Sequence, residues 1–418
     1  MTTLQPIRGA HDLLPLEFRK HTLVIDTARK VAASHGYGEM ATPIMEFKDV
    51  FKRTLGDVSD IVTKEMYEIA DRGDDPIVLR PEGTAGVARA IISNGLTQSL
   101  PLKYFYEGPM FRYERPQKGR LRQLHQIGIE LFGVPDPIGD VEVLSIANDI
   151  LKKLGLAQHI TLEINTLGDK ESRQAYRNQL VTYLKDHHAH LSPDSQLRLE
   201  RNPLRILDTK DEGDKKILKE APLLTESLNQ HSREMFERVK EGLKALQVSF
   251  KLNPHLVRGL DYYCYTAFEF TTTKLGSQGT VLAGGRYDGL IETMGGPSIA
   301  GVGWAGGIDR LAMMLKDEDL SPLPSPLAII PMGEPFDMHG LVLAKLLQDA
   351  GYIAEMTYGG SLGKRLKKAN KINARYALIL GEEEVASHSV TLKDLQSGEQ
   401  TLLPQKQIVD ILKDKGVL

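Results

Sequence analysis

The sequence predicts an α+β domain with an antiparallel sheet flanked by helices, interrupted by a helical insertion and followed by a smaller α/β domain. Three observations support this fold class. Strand-like runs separated by turns recur in the first part of the chain, charge-dense helical sequence fills residues 165–250, and strands alternate with helices after a proline-rich segment. A chain of 418 residues is also too long for a single core, so we expect two or three domains.

The first domain is predicted from alternating helical and strand-like patterns. Apolar residues repeat at helical spacing over residues 17–35, a strand-like run follows at 41–47, and another helix is expected near 140–154. The remaining strand candidates are close enough to be joined as hairpins, which favours antiparallel pairing; they lie at 76–80, 103–114, 124–133, 159–165 and 265–272. We assign residues 1–164 and 251–320 to this core.

A proline-rich segment predicts the next domain boundary. Residues 321–326 contain three prolines, too many for a helix or a central strand, and are expected to form a stiff linker. Beyond it, the order strand, helix, strand, helix, strand predicts a compact α/β domain with a parallel sheet over residues 327–418.

Composition limits the class and compartment of the protein. No apolar run approaches the roughly 18 to 20 residues of a membrane span, and residues 1–15 lack the pattern of an export signal. The only cysteine, Cys264, excludes a disulfide within the chain, which favours a reducing cytoplasm. A net charge of −3 argues against non-specific coating of nucleic acid and still permits a local basic surface.

Residues 256–270 have the composition of a ligand site. Arg258, Asp261, Tyr262 and Tyr263 interrupt a run that otherwise resembles a buried strand, and a rigid strand would hold their polar ends accurately. Two later segments, 283–290 and 301–311, each place one arginine among glycines that allow a close approach of backbone or ligand; these are Arg286 and Arg310. For any one segment alone, a glycine-rich surface hairpin is the alternative.

Residues 78–90 place Glu82 and Thr84 in a turn ahead of a helix of small residues. Both side chains can point at a ligand near the start of that helix. The alternative is an ordinary capped helix N-terminus with Thr84 as the cap.

Residues 111–130 combine two strand-like runs with a basic loop. Alternate residues of a hairpin share a face, so Arg112 and Glu114 can point one way together, as can Gln126 and Glu130. The loop between them carries Arg115, Lys118, Arg120 and Arg122. A solvated basic loop is the alternative.

These segments resemble the three motifs of class II aminoacyl-tRNA synthetases, and 258–263 (RGLDYY) with 283–290 (AGGRYDGL) resemble two motifs peculiar to histidyl-tRNA synthetases. The resemblance extends from PIRGAHDLLP near the start, through the motif 1-like segment containing Pro43, to the last domain. It implies a catalytic antiparallel sheet, a C-terminal α/β anticodon-binding domain and a homodimer formed through motif 1. The implied activity is ATP-dependent activation of L-histidine, with pyrophosphate release, followed by transfer to the 3′ end of tRNA(His).

The resemblance also implies roles for individual residues. In the ATP site, Arg112 holds the α-phosphate with Arg258 opposite it, Arg310 contacts the γ-phosphate end, and Glu114 also binds ATP. Fixed guanidinium groups suit a transition state that gathers charge on phosphate oxygens. For histidine, Glu130 and the Tyr263 hydroxyl bind the two ring nitrogens near Tyr262 and Tyr287. The α-ammonium group is bound by Glu82, Thr84 and Gln126.

Expectations for metals and cofactors follow from ATP chemistry and from the scarcity of cysteine. Magnesium is expected with the β- and γ-phosphates of ATP and without a site formed by protein alone. The lone Cys264 and scattered histidines show no zinc spacing, and His187 and His188 are interpreted as helix surface. We expect no zinc and no organic cofactor.

Two basic segments are candidates for tRNA contacts. A helix begins near 362 and carries Lys364, Arg365 and Lys368 among further cations; a solvated basic helix is the alternative. The loop at 115–122 is the candidate for the acceptor end of tRNA, through Arg115, Gln117, Lys118, Arg120 and Arg122. The chain departs from many bacterial relatives in having Leu121 and Leu124 where they carry aromatic residues.

Two other functions are compatible with parts of this pattern. A non-catalytic paralogue resembling the histidine-sensing regulatory subunit of ATP phosphoribosyltransferase would lack the anticodon domain and the full set of arginines. A class II ligase for threonine or proline would have to explain RGLDYY and the absence of zinc ligands. Arg112, Arg258, Arg310 and the domain after residue 326 favour the histidine-specific ligase.

Overall fold

The computed structural model describes residues 3–56, 59, 61–70, 75–260, 262–276 and 279–417. The chain separates into two compact units, Met1–Leu320 and Ser321–Leu418. Among the described residues, no helix combines the length and apolarity needed to cross a membrane.

The first unit contains helices and strands in the alternation that the sequence predicts. Its helices are α1 (Pro15–Ser34), α2 (Lys48–Leu55), α3 (Thr84–Ser93), α4 (Ile138–Lys153), α5 (Lys170–Asp186), α6 (Pro193–Arg201), α7 (Glu212–Leu218), α8 (Gln230–Ala245), α9 (Leu290–Thr293) and α10 (Ile308–Met314). Its strands are β1 (Gly38–Glu39), β2 (Met45–Phe47), β3 (Glu68–Ile69), β4 (Ile77–Leu79), β5 (Leu102–Phe111), β6 (Gln123–Phe132), β7 (Thr161–Thr166), β8 (Lys251–Leu252), β9 (Cys264–Thr271), β10 (Thr280–Arg286) and β11 (Gly301–Gly307).

The main sheet confirms the antiparallel prediction. Over the described part of the chain it has eight strands in the order β1-β5-β6-β11-β10-β9-β7-β8, and the six from β5 to β7 in this order pair antiparallel. The hairpin predicted over 103–133 is the long β5–β6 pair, which runs from Leu102 opposite Phe132 to Phe111 opposite Gln123. The last six residues of β6 are all buried, so this part of the sheet is covered on both faces.

Helices cover the two faces of the sheet unequally. Helices α1, α4 and α8 pack against one face in a large apolar core that includes Val24, Ile146, Phe236 and the single tryptophan, Trp304. The opposite face has a smaller apolar cluster from α3, α9 and the tyrosines near the candidate site. The thinner cover leaves room for a cavity on that face.

The helical region 165–250 contains two different kinds of packing. A separate apolar cluster extends from Tyr176 to Leu228, whereas α8 contributes Phe236, Val239 and Leu243 to the main core. The part with its own core is therefore narrower than the predicted insertion. Helical periodicity alone does not show which core a helix joins.

The second unit is an α/β unit with a mixed sheet. Its elements are β12 (Leu327–Pro331), α11 (Asp337–Asp349), β13 (Ala354–Met356), α12 (Leu362–Lys371), β14 (Tyr376–Leu380), α13 (Glu382–Ala386), β15 (Ser389–Asp394), β16 (Gln400–Pro404) and α14 (Ile408–Asp414). Strands β13, β12 and β14 pair in parallel as predicted, but β15 and β16 add an antiparallel hairpin. The three predicted strands are therefore confirmed as parallel, and the hairpin at this edge, where Gly398 makes the connecting turn with φ of 80°, was not predicted.

Arg286 is a structural residue. Its side chain and that of Asp140 are fully buried, and its Nε lies 3.0 Å from Asp140 Oδ2. It also donates to Val134 O at 3.0 Å and to Asp288 Oδ1 at 3.2 Å. The close approach that the sequence predicts around Arg286 is one of protein groups, because its donors are used within the protein to join β10 to α4.

We expect Arg286→Met to destabilise the first unit by about 3–5 kcal/mol, because Asp140 would stay buried without its partner. The double variant Arg286→Met/Asp140→Leu should lose much less stability. Urea unfolding followed by fluorescence of Trp304, which is 1% exposed, measures both effects in this unit. Equal losses in the single and double variants would show that the ion pair is not the cause.

Candidate active site

A cavity of about 250 Å³ lies over the sheet between α3, β6, β10 and the segment that precedes β9. Arg112, Arg258 and Arg310 all line it, although they are far apart in sequence. Most other residues proposed from the sequence line it too: Glu82, Thr84, Glu114, Arg120, Gln126, Tyr262 and Tyr263. Asp261 lies outside the described residues.

Glu82, rather than Thr84, caps the N-terminus of α3. Its carboxylate accepts backbone N–H bonds from Thr84 and Ala85, both at 2.8 Å, so it satisfies two donors that a helix start leaves free. Burial nevertheless raises the pKa of Glu82. The Thr84 hydroxyl instead donates to Glu130 Oε1 at 2.7 Å. The alternative with Thr84 as cap is wrong, because this hydroxyl bonds across to β6.

Glu130 is fully buried beneath the cavity and does not line it. Thr84 donates to one carboxylate oxygen and the Tyr287 hydroxyl to the other. Burial raises the pKa of Glu130 to about 8. A Cβ at position 303 on β11 would collide with the Glu130 carboxylate and the Tyr287 hydroxyl, so only glycine permits this pairing.

The three cavity arginines that the family resemblance assigns to ATP are fixed by contacts within the protein. Arg112 donates to Pro81 O at 2.9 Å, and Arg310 donates to Gly119 O at 2.8 Å and Thr280 O at 2.6 Å. Arg258 pairs with Glu269 and lies 5.4 Å from the centre of the Tyr263 ring.

The cations also repel one another. Burial lowers the pKa of Arg112 and of Arg310, and for Arg310 the charges of Arg112 and Arg120 lower the pKa further. A polyanion bound between these guanidinium groups would relieve the repulsion, so the cavity is suited to a phosphate chain.

Residues 258–260, 262 and 263 are irregular backbone ahead of β9 and not part of a strand. Two arginines from the helical region hold their backbone: Arg173 donates to Tyr263 O and Arg205 to Gly259 O. The tyrosines resemble a strand pattern in sequence, but Gly259 and these side-chain bonds favour a loop.

Gln126 offers an unused acceptor to the cavity. Its Oε1 is buried, and among the described residues no hydrogen-bond donor reaches it. Buried amide oxygens are normally satisfied, so a ligand donor such as an ammonium group would fit this position.

The basic loop after β5 divides into bound and exposed cations. Arg120 pairs with the buried Glu114, and the guanidinium of Arg122 lies 4.1 Å from the Tyr113 ring centre. Arg115, Gln117 and Lys118 are exposed. The alternative of a fully solvated basic loop is therefore wrong for Arg120 and Arg122.

In the second unit, the cations of α12 are likewise not equivalent. Arg365 is 6% exposed and donates to Thr357 O at 2.8 Å and Gly360 O at 3.2 Å, so its guanidinium is not presented to solvent. Lys364 and Lys368 are exposed, and Lys368 donates to Tyr358 O. The spacing of cations along the sequence of α12 did not show that Arg365 is the buried one.

Sequence reasoning missed two acidic residues of this cavity, Glu269 and Asp309. It also missed a cluster of three possible metal ligands, in which Asp309 joins His21 and His125. The cluster residues come from α10, α1 and β6, so no short spacing could reveal them.

The antiparallel sheet with its arginine-lined cavity is the arrangement that the resemblance to class II aminoacyl-tRNA synthetases implies. A family model for histidyl-tRNA synthetase matches residues 9–311, and one for the anticodon binding domain matches 327–415. This chain belongs to the histidyl-tRNA synthetase family. A histidine–tRNA ligase of Rhodospirillum rubrum is 56% identical, with 96% of each chain covered, and one of Gluconobacter oxydans is 53% identical, with 99% of each covered.

Solved structures give the same relationship. The crystal structure of apo S. aureus histidyl-tRNA synthetase matches with a TM-score of 0.81 at 32% identity, covering 98% of this chain and 100% of that chain. A Bacillus halodurans protein, described as an ATP phosphoribosyltransferase regulatory subunit/histidyl-tRNA synthetase, matches with a TM-score of 0.64 at 20% identity, covering 91% of this chain and 99% of that one. That second likeness shows a shared fold only.

We expect Glu130→Gln to flatten the dependence of stability on pH. The unfolded carboxyl loses its proton near 4.5 and the folded one near 8, so between these values the folded state holds more protons. Rising pH therefore destabilises the wild type in this window, and the glutamine variant lacks this loss. Denaturant unfolding at several pH values from about 5 to about 8 measures the difference.

The matched control is Glu107→Gln, on an exposed position of β5. It should keep the wild-type pH dependence. Parallel stability profiles for wild type and Glu130→Gln would contradict a strongly raised pKa at Glu130.

Proposed function

We propose that this chain is a histidine–tRNA ligase of the cytoplasm. It activates L-histidine with ATP to histidyl-adenylate, releasing pyrophosphate, and transfers the histidyl group to the 3′ end of tRNA(His). The observation that carries the proposal is the convergence of three fixed arginines and a free buried acceptor, Gln126, in one cavity. Near-full-length likeness to histidine–tRNA ligases supports it.

Activation proceeds by attack of the histidine carboxylate on the α-phosphorus of ATP, which breaks the bond to the bridging oxygen and expels pyrophosphate. Arg112 and Arg258 face each other across the proposed α-phosphate position and stabilise the charge gathered on its oxygens. Arg310 binds the γ-phosphate end, and Glu114 lies at the same ATP site. No protein nucleophile is required, so catalysis consists of positioning and electrostatics.

Magnesium fits this site as a partner of ATP rather than as a resident ion. Of the carboxylates that line the cavity, Glu114 and Glu269 are paired with Arg120 and Arg258. Glu82 accepts two backbone N–H bonds at the start of α3, and Asp309 accepts the backbone N–H of His125. They do not form a free carboxylate cage, so the nucleotide phosphates and water would supply most oxygen ligands. Bound there, the ion neutralises charge on the β- and γ-phosphates.

Histidine is recognised by polar groups at the other side of the cavity. Gln126 Oε1 accepts a hydrogen bond from the α-ammonium group, assisted by Glu82 and Thr84. Tyr263 bonds one ring nitrogen. Glu130 bonds the other, which requires the Thr84 and Tyr287 side chains that cover it to move aside, and Tyr262 packs nearby. An apolar amino acid would leave these groups unpaired, which penalises its binding.

The exposed cations are the proposed contacts to tRNA(His). In the loop after β5 these are Arg115 and Lys118 with Gln117, while Arg120 and Arg122 chiefly shape the loop. In the unit that matches the anticodon binding domain, they are Lys364 and Lys368. Arg365 supports the backbone below them. Exposed cations bind phosphates with a strong salt dependence.

A homodimer through motif 1 is part of the proposal. The segment around Pro43 exposes three large apolar side chains, namely Ile44 at 42%, Met45 at 58% and Phe47 at 55%. Adjacent exposed apolar groups of this size are typical of a protein interface. A second copy of the chain is the partner that the family resemblance implies.

Amino-acid-dependent exchange of pyrophosphate into ATP tests the activity directly. We expect exchange with histidine and background rates with a panel of other amino acids, because the polar groups around Gln126 require a polar partner. Histidine binding without exchange would instead favour the regulatory paralogue. Exchange with another amino acid would show that the histidine subsite is misassigned.

Arg258→His should lower the rate of histidine activation by about 100-fold or more, since it removes a fixed charge at the α-phosphate. Exchange kinetics measure the loss, and circular dichroism checks that the fold persists. Arg238→His, which removes an exposed arginine paired with Asp136, is the control and should be near wild type. Wild-type activation in folded Arg258→His would remove Arg258 from the mechanism.

Phe47→Glu should weaken the homodimer by placing a charge in the apolar contact. Sedimentation at several protein concentrations would then show more monomer than in wild type. Leu197→Glu is the control, since Leu197 is 58% exposed on α6, away from motif 1. If both variants associate as wild type does, the motif 1 segment is not the interface.

A further inference from the structure

His21, His125 and Asp309 form a compact cluster beside the candidate active site. They come from α1, β6 and α10, and one potential ligand atom from each lies within 4.8 Å of the others. Asp309 Oδ1 is 3.3 Å from His125 Nδ1 and 3.7 Å from His21 Nε2. One carboxylate oxygen therefore lies between two imidazole nitrogens.

The cluster is not fully explained by hydrogen bonding. The His125 backbone N–H donates to Asp309 Oδ2 at 2.7 Å, which fixes the carboxylate. His21 is only 6% exposed, yet over the described ranges its imidazole makes no hydrogen bond. Its 3.7 Å separation from Asp309 exceeds hydrogen-bond length. The two atoms face each other at a separation that suits two ligands of one shared metal ion.

The separations suit a tetrahedral transition-metal ion. Zinc binds imidazole nitrogen and carboxylate oxygen at about 2.0–2.2 Å, which places neighbouring ligand atoms about 3.3–3.5 Å apart. The observed 3.3 and 3.7 Å require only small side-chain movements. Two imidazoles also favour such an ion over magnesium, which prefers oxygen ligands.

The cluster is accessible from a second cavity of about 540 Å³, which all three residues line. A water molecule from this cavity can take the fourth coordination position. An ion can therefore enter without unfolding the core.

We propose that His21, His125 and Asp309 bind one divalent transition-metal ion of the zinc type, separate from the magnesium that accompanies ATP and contrary to the expectation of no zinc drawn from the sequence. The site joins α1 to α10, and Asp309 immediately precedes Arg310. Occupancy would thus stiffen the support of an arginine that lines the candidate active site. The proposal depends on the cluster geometry and not on the amino acid that the enzyme activates.

Zinc titration of the untagged full-length chain by calorimetry tests this site. His187, His188 and His190 lie together at the end of α5 and can bind metal adventitiously, so all three are first changed to alanine in every protein used. We expect one zinc ion per chain in this background. Cobalt should give the intense visible absorption of a tetrahedral complex.

His21→Ala in the same background should weaken zinc binding at least tenfold and abolish the cobalt bands. His11→Ala is the matched control, since His11 lines the same cavity but lies outside the cluster. Circular dichroism confirms folding, and His21→Gln offers a larger polar replacement if His21→Ala is unstable. No stoichiometric binding in the background protein, or equal affinity in folded His21 variants, would overturn the proposal.

Discussion

The buried carboxyl of Glu130 is the constraint on which the candidate site depends. It joins α3 through Thr84 and the segment after β10 through Tyr287. The same group forces glycine at position 303 on the neighbouring strand. A carboxyl in this position is costly unless both oxygens are bonded, so it fixes the relative positions of three elements beneath the cavity. The residues that line the cavity above Glu130 are therefore held in defined positions.

The cavity places two kinds of polar group over this base. Arg112 and Arg310 are held by backbone carbonyls, and Arg258 by Glu269, so little reorganisation is needed when a phosphate chain binds. Gln126 keeps an unsatisfied oxygen for a donor. The cavity thus has cations that can bind an anion beside a hydrogen-bond acceptor that can bind an ammonium group. This combination suits a pair of substrates consisting of an amino acid and a nucleoside triphosphate.

Much of the fold was predictable because it depends on local patterns. The β5–β6 hairpin and α1 follow from period-two and helical repeats. The strand-like composition around Tyr262 and Tyr263 did not show where β9 begins, because the bonds of Arg173 and Arg205 to the backbone of Tyr263 and Gly259 are tertiary contacts. Contacts between elements that are distant in sequence have no local sequence pattern that predicts them. The bond of Thr84 to Glu130, the burial of Arg365 and the His21 cluster all depend on tertiary packing.

The most direct test of the account is the binding of a non-hydrolysable sulfamoyl analogue of histidyl-adenylate beside the matching leucyl analogue. Both carry the same nucleotide, so calorimetry isolates the contribution of the amino-acid side chain. The account predicts that the histidyl analogue binds about 100-fold or more tightly than the leucyl analogue, because leucine leaves buried polar groups unpaired. Equal affinities would contradict a histidine subsite built on Glu130 and Tyr263.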